Sequence, residues 1–275
     1  ITDRKYAVAC NNGTDALHFS LISLGIKPGD EVITTNFSWI STASCISMVG
    51  GTPVFCDIDI SSYHLSLNSI KNMYSDKTKA IVYPHLFGNM SETKHIIEFC
   101  KEKNIAFIED AAQSLGTSLN GVKAGSIGDI STLSFNANKV IAGISGGGAV
   151  LTDNKEYADT IKKIRKHGEN EMLGYNSKML LMNATFIDHR LKKLPNKEIR
   201  NELKDKLKAK VHYDTPLSEN VMYKNIYHRK DSMFNSKTVC DTILTLPIDP
   251  FTTDTEISKV VNIILIVLDH EETKF

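Results

Sequence analysis

Short, apolar, β-branched runs alternate with longer amphipathic segments from Tyr6 to about Leu151. After a first strand at Tyr6–Ala9, runs bounded by turn residues predict further strands at Glu31–Thr34, Pro53–Asp57, Ala80–Tyr83, Ala106–Glu109, Thr132–Phe135 and Gly148–Thr152. Helices are predicted between them, including Thr14–Leu24, where leucines recur at helical spacing, and Ser91–Lys103, which begins with a serine cap. This alternation predicts an α/β fold with a mostly parallel sheet between helices, whose ligands bind beyond the carboxyl ends of the strands.

The pattern changes after Leu151. Charged helices are predicted over Asn154–His167 and Leu191–Lys210, followed by a strand over Ile243–Pro247 and a helix over Thr253–Leu268. Since a typical domain has roughly 150 residues, a chain of 275 residues suggests about two domains. We therefore predict a large domain over residues 1–194 and a smaller C-terminal domain over residues 195–275.

Composition and charge argue against several classes of partner. The 32 basic and 32 acidic residues leave no net charge, so the sequence lacks the basic field that drives binding to nucleic acids or membrane surfaces. The five cysteines are scattered and never form a CxxC pair, which argues against a disulfide framework or a zinc ribbon and suits a reducing cytosol. The longest apolar run, Val260–Leu268, is far shorter than the roughly 20 residues of a membrane span. We expect a cytoplasmic protein with no nucleic-acid, membrane or metal partner.

Two segments that follow predicted strands are candidates for binding charged groups. Gly13 and Thr14 lie where a strand passes into a helix, and the free N–H groups of a helix start attract anions. The simpler alternative is a glycine turn with Thr14 or Asp15 as N-cap. Asp110 follows the apolar strand Ala106–Glu109, where an acidic residue either faces a cation or a ligand N–H, or caps a solvent-exposed helix.

Lys139 and Trp39 each have a chemical and a structural interpretation. Lys139 lies between a predicted strand and the glycine-rich segment Gly143–Gly148, so it is either a Schiff-base nucleophile, since a desolvated lysine gives up its proton readily, or an ordinary surface lysine. The glycines indicate a tight bend or a close backbone approach. Trp39, the only tryptophan, either packs in the core or stacks on a flat ligand ring.

The order of these features is more informative than each of them alone. An anion-binding helix start, an aromatic residue, a strand-end aspartate, and a serine and lysine before a glycine loop together indicate a pocket for pyridoxal 5'-phosphate (PLP). In such a pocket the helix start binds the phosphate and the aromatic residue stacks on the ring. The aspartate pairs with the pyridinium nitrogen, and the lysine forms an aldimine.

Longer motifs extend this pattern over most of the chain. They are Gly25–Ile33, Gly51–Phe55, His85–Asn89, Glu109–Gln113, Gly125–Asp129, Ser134–Phe135 with Lys139, Val211–Leu217 and Leu244–Ile248. With these motifs the sequence closely resembles the DegT/DnrJ/StrS family of PLP-dependent nucleotide-sugar aminotransferases, which have the aspartate-aminotransferase fold (fold type I). The resemblance implies a seven-stranded, mostly parallel sheet between helices in the large domain and a small, shortened C-terminal α+β domain.

The resemblance also implies a role for each site residue. Lys139 would be the internal-aldimine lysine and the proton carrier. Asp110 would pair with the pyridine nitrogen, Gln113 would lie near the phenolic oxygen, and Trp39 would cover the ring. The remaining residues would bind the phosphate (Gly13, Thr14, Ser134 and, from the neighbouring subunit, Asn176) or lie on the substrate side (His85, His212 and Tyr213).

The implied reaction transfers an amino group from L-glutamate to a keto-deoxyhexose carried on a nucleoside diphosphate, in a homodimer with shared active sites. Lys139 would move protons in both half-reactions as general acid and base. The resemblance leaves open whether C3 or C4 of the sugar is aminated and which nucleotide is bound.

Departures from the family pattern leave alternatives open. Only Pro195–Lys210 separates Leu194 from Val211, fewer residues than in the family, and Ser177–Met179 stands where the family tends to have an arginine. One alternative is therefore a catalytically impaired remnant with a structural or partner-binding role. Another is a PLP-dependent sugar dehydratase of the same family, although such enzymes typically replace the lysine with histidine. A third is a different fold type I enzyme, such as a cysteine desulfurase or an aldolase.

Overall fold

The computed structural model describes residues 1–192, 213 and 215–242. The strands in this part of the chain are β1 Tyr6–Cys10, β2 Glu31–Thr35, β3 Thr52–Cys56, β4 Thr78–Pro84, β5 Ala106–Asp110, β6 Ser118–Leu119, β7 Val122–Lys123, β8 Ile130–Ser134, β9 Gly148–Thr152 and β10 Arg229–Lys230. The α-helices are α1 Gly13–Ser23, α2 Ser41–Met48, α3 Leu67–Met73, α4 Lys94–Lys103, α5 Lys155–Ile164, α6 Leu181–Lys192 and α7 Phe234–Thr242. Short 3₁₀ helices span Leu86–Gly88, His167–Asn170, Leu217–Glu219 and Val221–Lys224.

Eight strands form one sheet in the order β1-β9-β8-β5-β4-β2-β3-β10, and β6 pairs with β7 in a separate hairpin. Strand β9 is antiparallel to both of its neighbours, whereas the other five pairs of the large sheet are parallel. The mostly parallel sheet is thus confirmed, and its seven expected strands are all present. The eighth strand, β10, was not predicted, because two charged residues at a sheet edge carry no hydrophobic pattern.

Helices cover both faces of the sheet, because consecutive strand residues point to opposite sides. On β2, Val32 packs with residues of α1 and α2, while its neighbour Ile33 packs with residues of α3 and α4. Helix α5 joins the first face through Ile161, and α6 joins the second through Ile187. The strands are therefore apolar on both sides, as expected for a buried parallel sheet.

Helix α4 begins later than the sequence indicates. Its first residue is Lys94, and Ser91 is not its cap, because the Ser91 hydroxyl lies 2.5 Å from the Tyr83 hydroxyl instead. The helix ends at Lys103, and the next residue, Asn104, caps it with a φ of 52°, the left-handed conformation typical of a helix C-terminus. A tertiary hydrogen bond has thus replaced the local capping bond that the sequence predicts.

Residues 215–242 pack directly on the large sheet. Leu217, Tyr223 and Met233 share a buried cluster with Phe55 of β3, and β10 extends the sheet beyond β3. The division between residues 194 and 195 stays a prediction. The predicted strand over 243–247 and helix over 253–268 lie outside the described residues, as does the predicted helix over 191–210 apart from its first two residues, which end α6.

Within the described residues, no helix has both the length and the apolarity that crossing a membrane requires.

Two turn glycines allow the cost of steric overlap to be separated from the cost of backbone strain. Gly128 has a φ of 72°, and a Cβ there would lie 2.4 Å from Phe107 Cδ1 and 2.5 Å from the Phe107 carbonyl oxygen. Gly121 has a φ of 82°, but no atom lies within 4 Å of the corresponding position. We expect Gly128→Ala to lower the free energy of unfolding by more than about 2 kcal/mol, since it adds overpacking to backbone strain. Gly121→Ala should cost only about 1 kcal/mol of strain. Urea unfolding measures both, and equal losses would contradict the steric argument.

Candidate functional site

The carboxyl ends of three strands converge at one edge of the sheet. Gly148, the first residue of β9, pairs with Cys10 at the end of β1 and with Ser134 at the end of β8. Strand β5 lies next to β8 and ends at Asp110, which pairs with Thr132. The sheet therefore brings the strand-end residues that the sequence singled out to a common edge.

Helix α1 starts at this edge with N–H groups that are free to bind an anion. Its N-cap is Asn12, whose Oδ1 accepts a hydrogen bond of 2.8 Å from the Asp15 N–H, so the predicted Thr14 or Asp15 cap is wrong. The N–H groups of Gly13 and Thr14 have no acceptor among the described residues. The Thr14 hydroxyl lies 2.9 Å from the Ser41 hydroxyl, which adds a second polar group beside the positive end of the helix dipole.

Two glycines allow the start of α1 to lie directly against the strand ends. A Cβ at Gly13 would lie 2.8 Å from the Ser134 Cβ, and one at Gly148 would lie 2.1 Å from the Asn12 carbonyl oxygen. Gly148 was not among the predicted site residues, although the glycine-rich segment indicated a bend or a close backbone approach. A close approach is what Gly148 provides, and it sets Ser134 beside the free N–H groups.

Asp110 is buried at the end of β5 and is only 7% exposed, so the solvent-exposed helix cap proposed as an alternative is wrong. Burial raises the pKa of Asp110. This effect is opposed by a hydrogen bond of 3.1 Å from the Ala112 N–H and by the positive charges of Lys139 and His85. These groups favour the ionised form and partly offset the cost of burying the carboxylate.

Lys139 differs from an ordinary surface lysine. Burial lowers the pKa of its amine, and the negative charge of Asp110 partly offsets that effect. Its backbone N–H donates a hydrogen bond of 2.9 Å to the Asn136 carbonyl, which closes the turn after β8. A desolvated amine beside a buried carboxylate is the arrangement expected of a nucleophilic lysine.

Gln113 connects two parts of the site. Its Oε1 accepts a hydrogen bond of 3.0 Å from the Phe87 N–H, and its Nε2 donates one of 2.8 Å to the Tyr213 hydroxyl. Burial raises the pKa of Tyr213 to about 12, so this hydroxyl stays protonated at neutral pH. Tyr213 is thereby placed close to the end of β5. His212 lies outside the described residues.

His85 lies behind the site rather than on an open substrate surface. Its side chain is fully buried, and Nε2 lies 3.3 Å from Glu109 Oε1 without the geometry of a hydrogen bond. Glu109, also fully buried, accepts hydrogen bonds of 2.8 Å from the Gly125 and Ile127 N–H groups and one of 2.7 Å from the Ser131 hydroxyl. The ring of His85 is thus enclosed by protein, and its expected place on the substrate side stays a prediction.

Trp39 and Asn176 are exposed. Trp39 follows β2 and is 60% exposed, so the core-packing interpretation is wrong and its ring is available for stacking. Asn176 lies in the loop after α5, where it forms an isolated antiparallel bridge with Lys166.

A groove of about 630 Å³ lies at the opposite edge of the sheet, beside the amino ends of β2, β4 and β5. Its acidic residues already have partners within the protein, since Asp30 accepts a hydrogen bond from the Lys27 N–H and Asp129 accepts one from the Phe107 N–H. The reactive groups are therefore concentrated at the carboxyl edge.

The model of the DegT/DnrJ/EryC1/StrS aminotransferase family matches residues 1–205 and 196–265. The chain belongs to this family. A family relative in Geobacillus stearothermophilus, named pleiotropic regulatory protein, is 37% identical over 188 residues, which are 66% of this chain and 50% of that protein. The GDP-perosamine synthase of Caulobacter vibrioides is 36% identical over 187 residues, again 66% and 50% of the two chains. The chain thus spans about half the length of these curated relatives.

The family fold is also found in solved structures that resemble this DegT/DnrJ/EryC1/StrS protein. The crystal structure of ntda from Bacillus subtilis with bound cofactor PMP is 25% identical and has a TM-score of 0.79, covering 94% of this chain and 72% of that one. The expected aminotransferase fold is therefore confirmed.

The coupling between Asp110 and Lys139 can be measured in the apo-protein. We expect Asp110→Asn to lower the pKa of the Lys139 amine further, because it removes the negative charge that opposes the effect of burial. The readout is the rate of Lys139 acylation over a pH series, followed by mass spectrometry of the peptide, and the midpoint of the profile should move to lower pH. Asp153→Asn, which alters a carboxylate paired with Arg4, is the matched control and should leave the profile unchanged. A midpoint that stays in place in Asp110→Asn would contradict the coupling.

Proposed function

We propose that this protein is a PLP-dependent aminotransferase that transfers an amino group from L-glutamate to a keto-deoxyhexose carried on a nucleoside diphosphate. The observation that carries the proposal is the desolvated Lys139 amine interacting with the buried carboxylate of Asp110. Both belong to the edge of the sheet where α1 presents free N–H groups. Perturbed titratable groups of this kind concentrate at catalytic sites.

The residues at this edge fit PLP. The free N–H groups of Gly13 and Thr14, together with the hydroxyls of Thr14 and Ser134, would hold its phosphate at the positive end of the α1 dipole. Asp110 would pair with the ring nitrogen, and the exposed ring of Trp39 would stack on the pyridine. Bound covalently to Lys139, PLP supplies an electron sink that stabilises negative charge at the carbon bearing the amino group.

Three residues of the site would each have a task in this reaction. The pKa of Lys139 is lowered by burial, so its amine can take a proton from carbon and return it at a pH closer to neutral than a surface lysine allows. Burial raises the pKa of Asp110, and the Ala112 N–H and the Lys139 amine oppose that effect by favouring the ionised form. In that form Asp110 would keep a proton on the ring nitrogen. Gln113 is fixed at both ends of its amide, by Phe87 and Tyr213, and so keeps one orientation beside the cofactor.

Comparisons support the substrate class. The Caulobacter relative is named for a GDP-sugar product, and the neighbour from Bacillus was crystallised with PMP, the amino form of PLP. The Tyr213 segment, which reaches the site through Gln113, would lie on the substrate side with His212.

We further propose a homodimer in which Asn176 binds the phosphate of the neighbouring subunit. Ile144, Leu181 and Met182 are each more than half exposed, at 58%, 84% and 67%, and line one apolar groove at the start of α6. Exposed apolar patches of this kind mark protein interfaces. Leu181 follows Asn176 closely in the chain, so an interface there would carry Asn176 toward the partner.

The proposed function is tested by adding PLP to the purified chain. Wild-type protein should gain the visible absorption of lysine-bound PLP, and L-glutamate should bleach that absorption and yield 2-oxoglutarate. Lys139→Ala should show neither change while keeping its circular dichroism and its unfolding midpoint, because the side chain serves chemistry rather than packing. A panel of keto-sugar nucleotides as amine acceptors then identifies the nucleotide and the carbon that is aminated.

The same experiment separates a second candidate. The Geobacillus relative is named a regulatory protein, which favours a partner-binding role without catalysis as the alternative. Protein that stays colourless with PLP would support that role and refute the aminotransferase. Full transaminase turnover by Lys139→Ala would instead refute the role assigned to Lys139.

A substitution at Asn176 tests the shared site. We expect Asn176→Ala to weaken PLP binding about tenfold, because it removes a hydrogen bond to a charged phosphate. Equilibrium titration of the apo-dimer with PLP gives the dissociation constant, and sedimentation shows whether the dimer persists. Asn170→Ala, an alternative asparagine in the preceding 3₁₀ helix, is the matched control. An unchanged dissociation constant in Asn176→Ala would count against a site shared between subunits.

A further inference from the structure

Ser177 fastens the loop that carries Asn176 to the start of α1. Its side chain is buried, with only 2% exposed. The hydroxyl accepts a hydrogen bond of 3.0 Å from the Asn11 N–H and donates one of 2.5 Å to Asp15 Oδ2. Ser177 is thus joined both to the turn that precedes α1 and to its first helical turn.

Tyr175 provides a second contact between this loop and α1. The Tyr175 hydroxyl lies 2.9 Å from His18 Nε2, and the Tyr175 ring lies 5.4 Å from the ring of Phe19, so both partners belong to α1. Burial lowers the pKa of His18, which favours the neutral imidazole. The residues on either side of Asn176 are therefore anchored to one helix, and Asn176 itself is exposed between them.

The positions of these anchors have a consequence for the dimer. Asp15 directly follows Thr14, which in the proposed function binds the subunit's own phosphate, and Ser177 directly follows Asn176, which would bind the partner's phosphate. The hydrogen bond between Ser177 and Asp15 would therefore connect groups that serve two different active sites. Movement of α1 in one site would be transmitted to Asn176.

We propose that Ser177 is a positioning residue that couples the two active sites of the dimer. This inference rests on the proposed function, in which Gly13 and Thr14 bind phosphate within the subunit and Asn176 binds it across the interface. When PLP orders the start of α1 in one subunit, the Ser177–Asp15 bond orders Asn176 for the other. Binding of PLP to one site then raises the affinity of the other. Because coupling between two sites is reciprocal, PLP binding to the dimer is cooperative.

The coupling is tested by a double-mutant cycle on the PLP dissociation constant of the full chain. We expect Ser177→Ala to weaken PLP binding about tenfold in the wild-type background and less than about twofold in the Asn176→Ala background, because it acts through Asn176. The Hill coefficient of the PLP titration should exceed one in the wild type and fall to one in Ser177→Ala. Ser23→Ala, which removes a hydroxyl at the far end of α1, is the control and should change neither quantity.

A purely structural role for Ser177 gives a different result. Equal losses of PLP affinity in both backgrounds, or a wild-type Hill coefficient of one, would overturn the coupling while leaving the proposed function intact. If wild-type protein binds no PLP, the proposed function itself fails. Should Ser177→Ala not fold, Asp15→Asn provides the same cycle, since it keeps the shape of the acceptor but removes its charge.

Discussion

The backbone at the start of α1 packs closely against the carboxyl end of β8 and the first residue of β9. A side chain at Gly13 or Gly148 would occupy the space that this contact needs. The rest of the site depends on this contact. It holds the free N–H groups of the helix beside Ser134, and it requires β9 to run antiparallel between β1 and β8 so that its first residue lies at that edge. The anion site is thus created by the absence of two side chains as much as by the presence of polar ones.

The Asp110–Lys139 pair illustrates how burial prepares groups for chemistry. Burial makes the charged form of each group less stable than in water, so it raises the pKa of Asp110 and lowers that of Lys139. Mutual attraction offsets only part of this cost. Behind them, Glu109 accepts hydrogen bonds from protein donors on both carboxylate oxygens, and its negative charge adds to the effect of burial in raising the pKa of Asp110. A ligand that pairs with Asp110 and reacts with Lys139 relieves both penalties together.

The strands were predictable because each is an apolar run between turn residues, and β9 spans Gly148–Thr152 as expected. The direction of β9 was not, because alternation of strands and helices does not specify whether a neighbour is parallel or antiparallel. The hairpin turn at Asn120–Gly121 has positive φ angles at both residues. An Asn-Gly pair is a known signal for such a turn, so this hairpin could have been predicted from the sequence.

Contacts between distant segments account for most of what the sequence did not reveal in the site. His85 is buried 3.3 Å from Glu109, which lies on β5, and Ser177 bonds to Asp15, which lies 162 positions earlier. Such partners have no fixed spacing that a pattern could reveal. By contrast, Asp110 and Lys139 were recognised because Asp110 ends β5 and Lys139 lies in the turn after β8, and ligands of such sheets bind at the carboxyl ends of the strands.

Strand β10 covers the outer edge of β3 with residues that are synthesised long after β3 itself. During translation, the nascent chain therefore carries an unpaired parallel edge, whose N–H and C=O groups can template pairing with another chain, until Arg229 and Lys230 leave the ribosome. Arg229 forms an ion pair with Glu31 of β2, while Lys230 is exposed and adds a positive charge beside the paired edge. A short paired strand with a charged side chain is a device by which proteins limit edge-to-edge association.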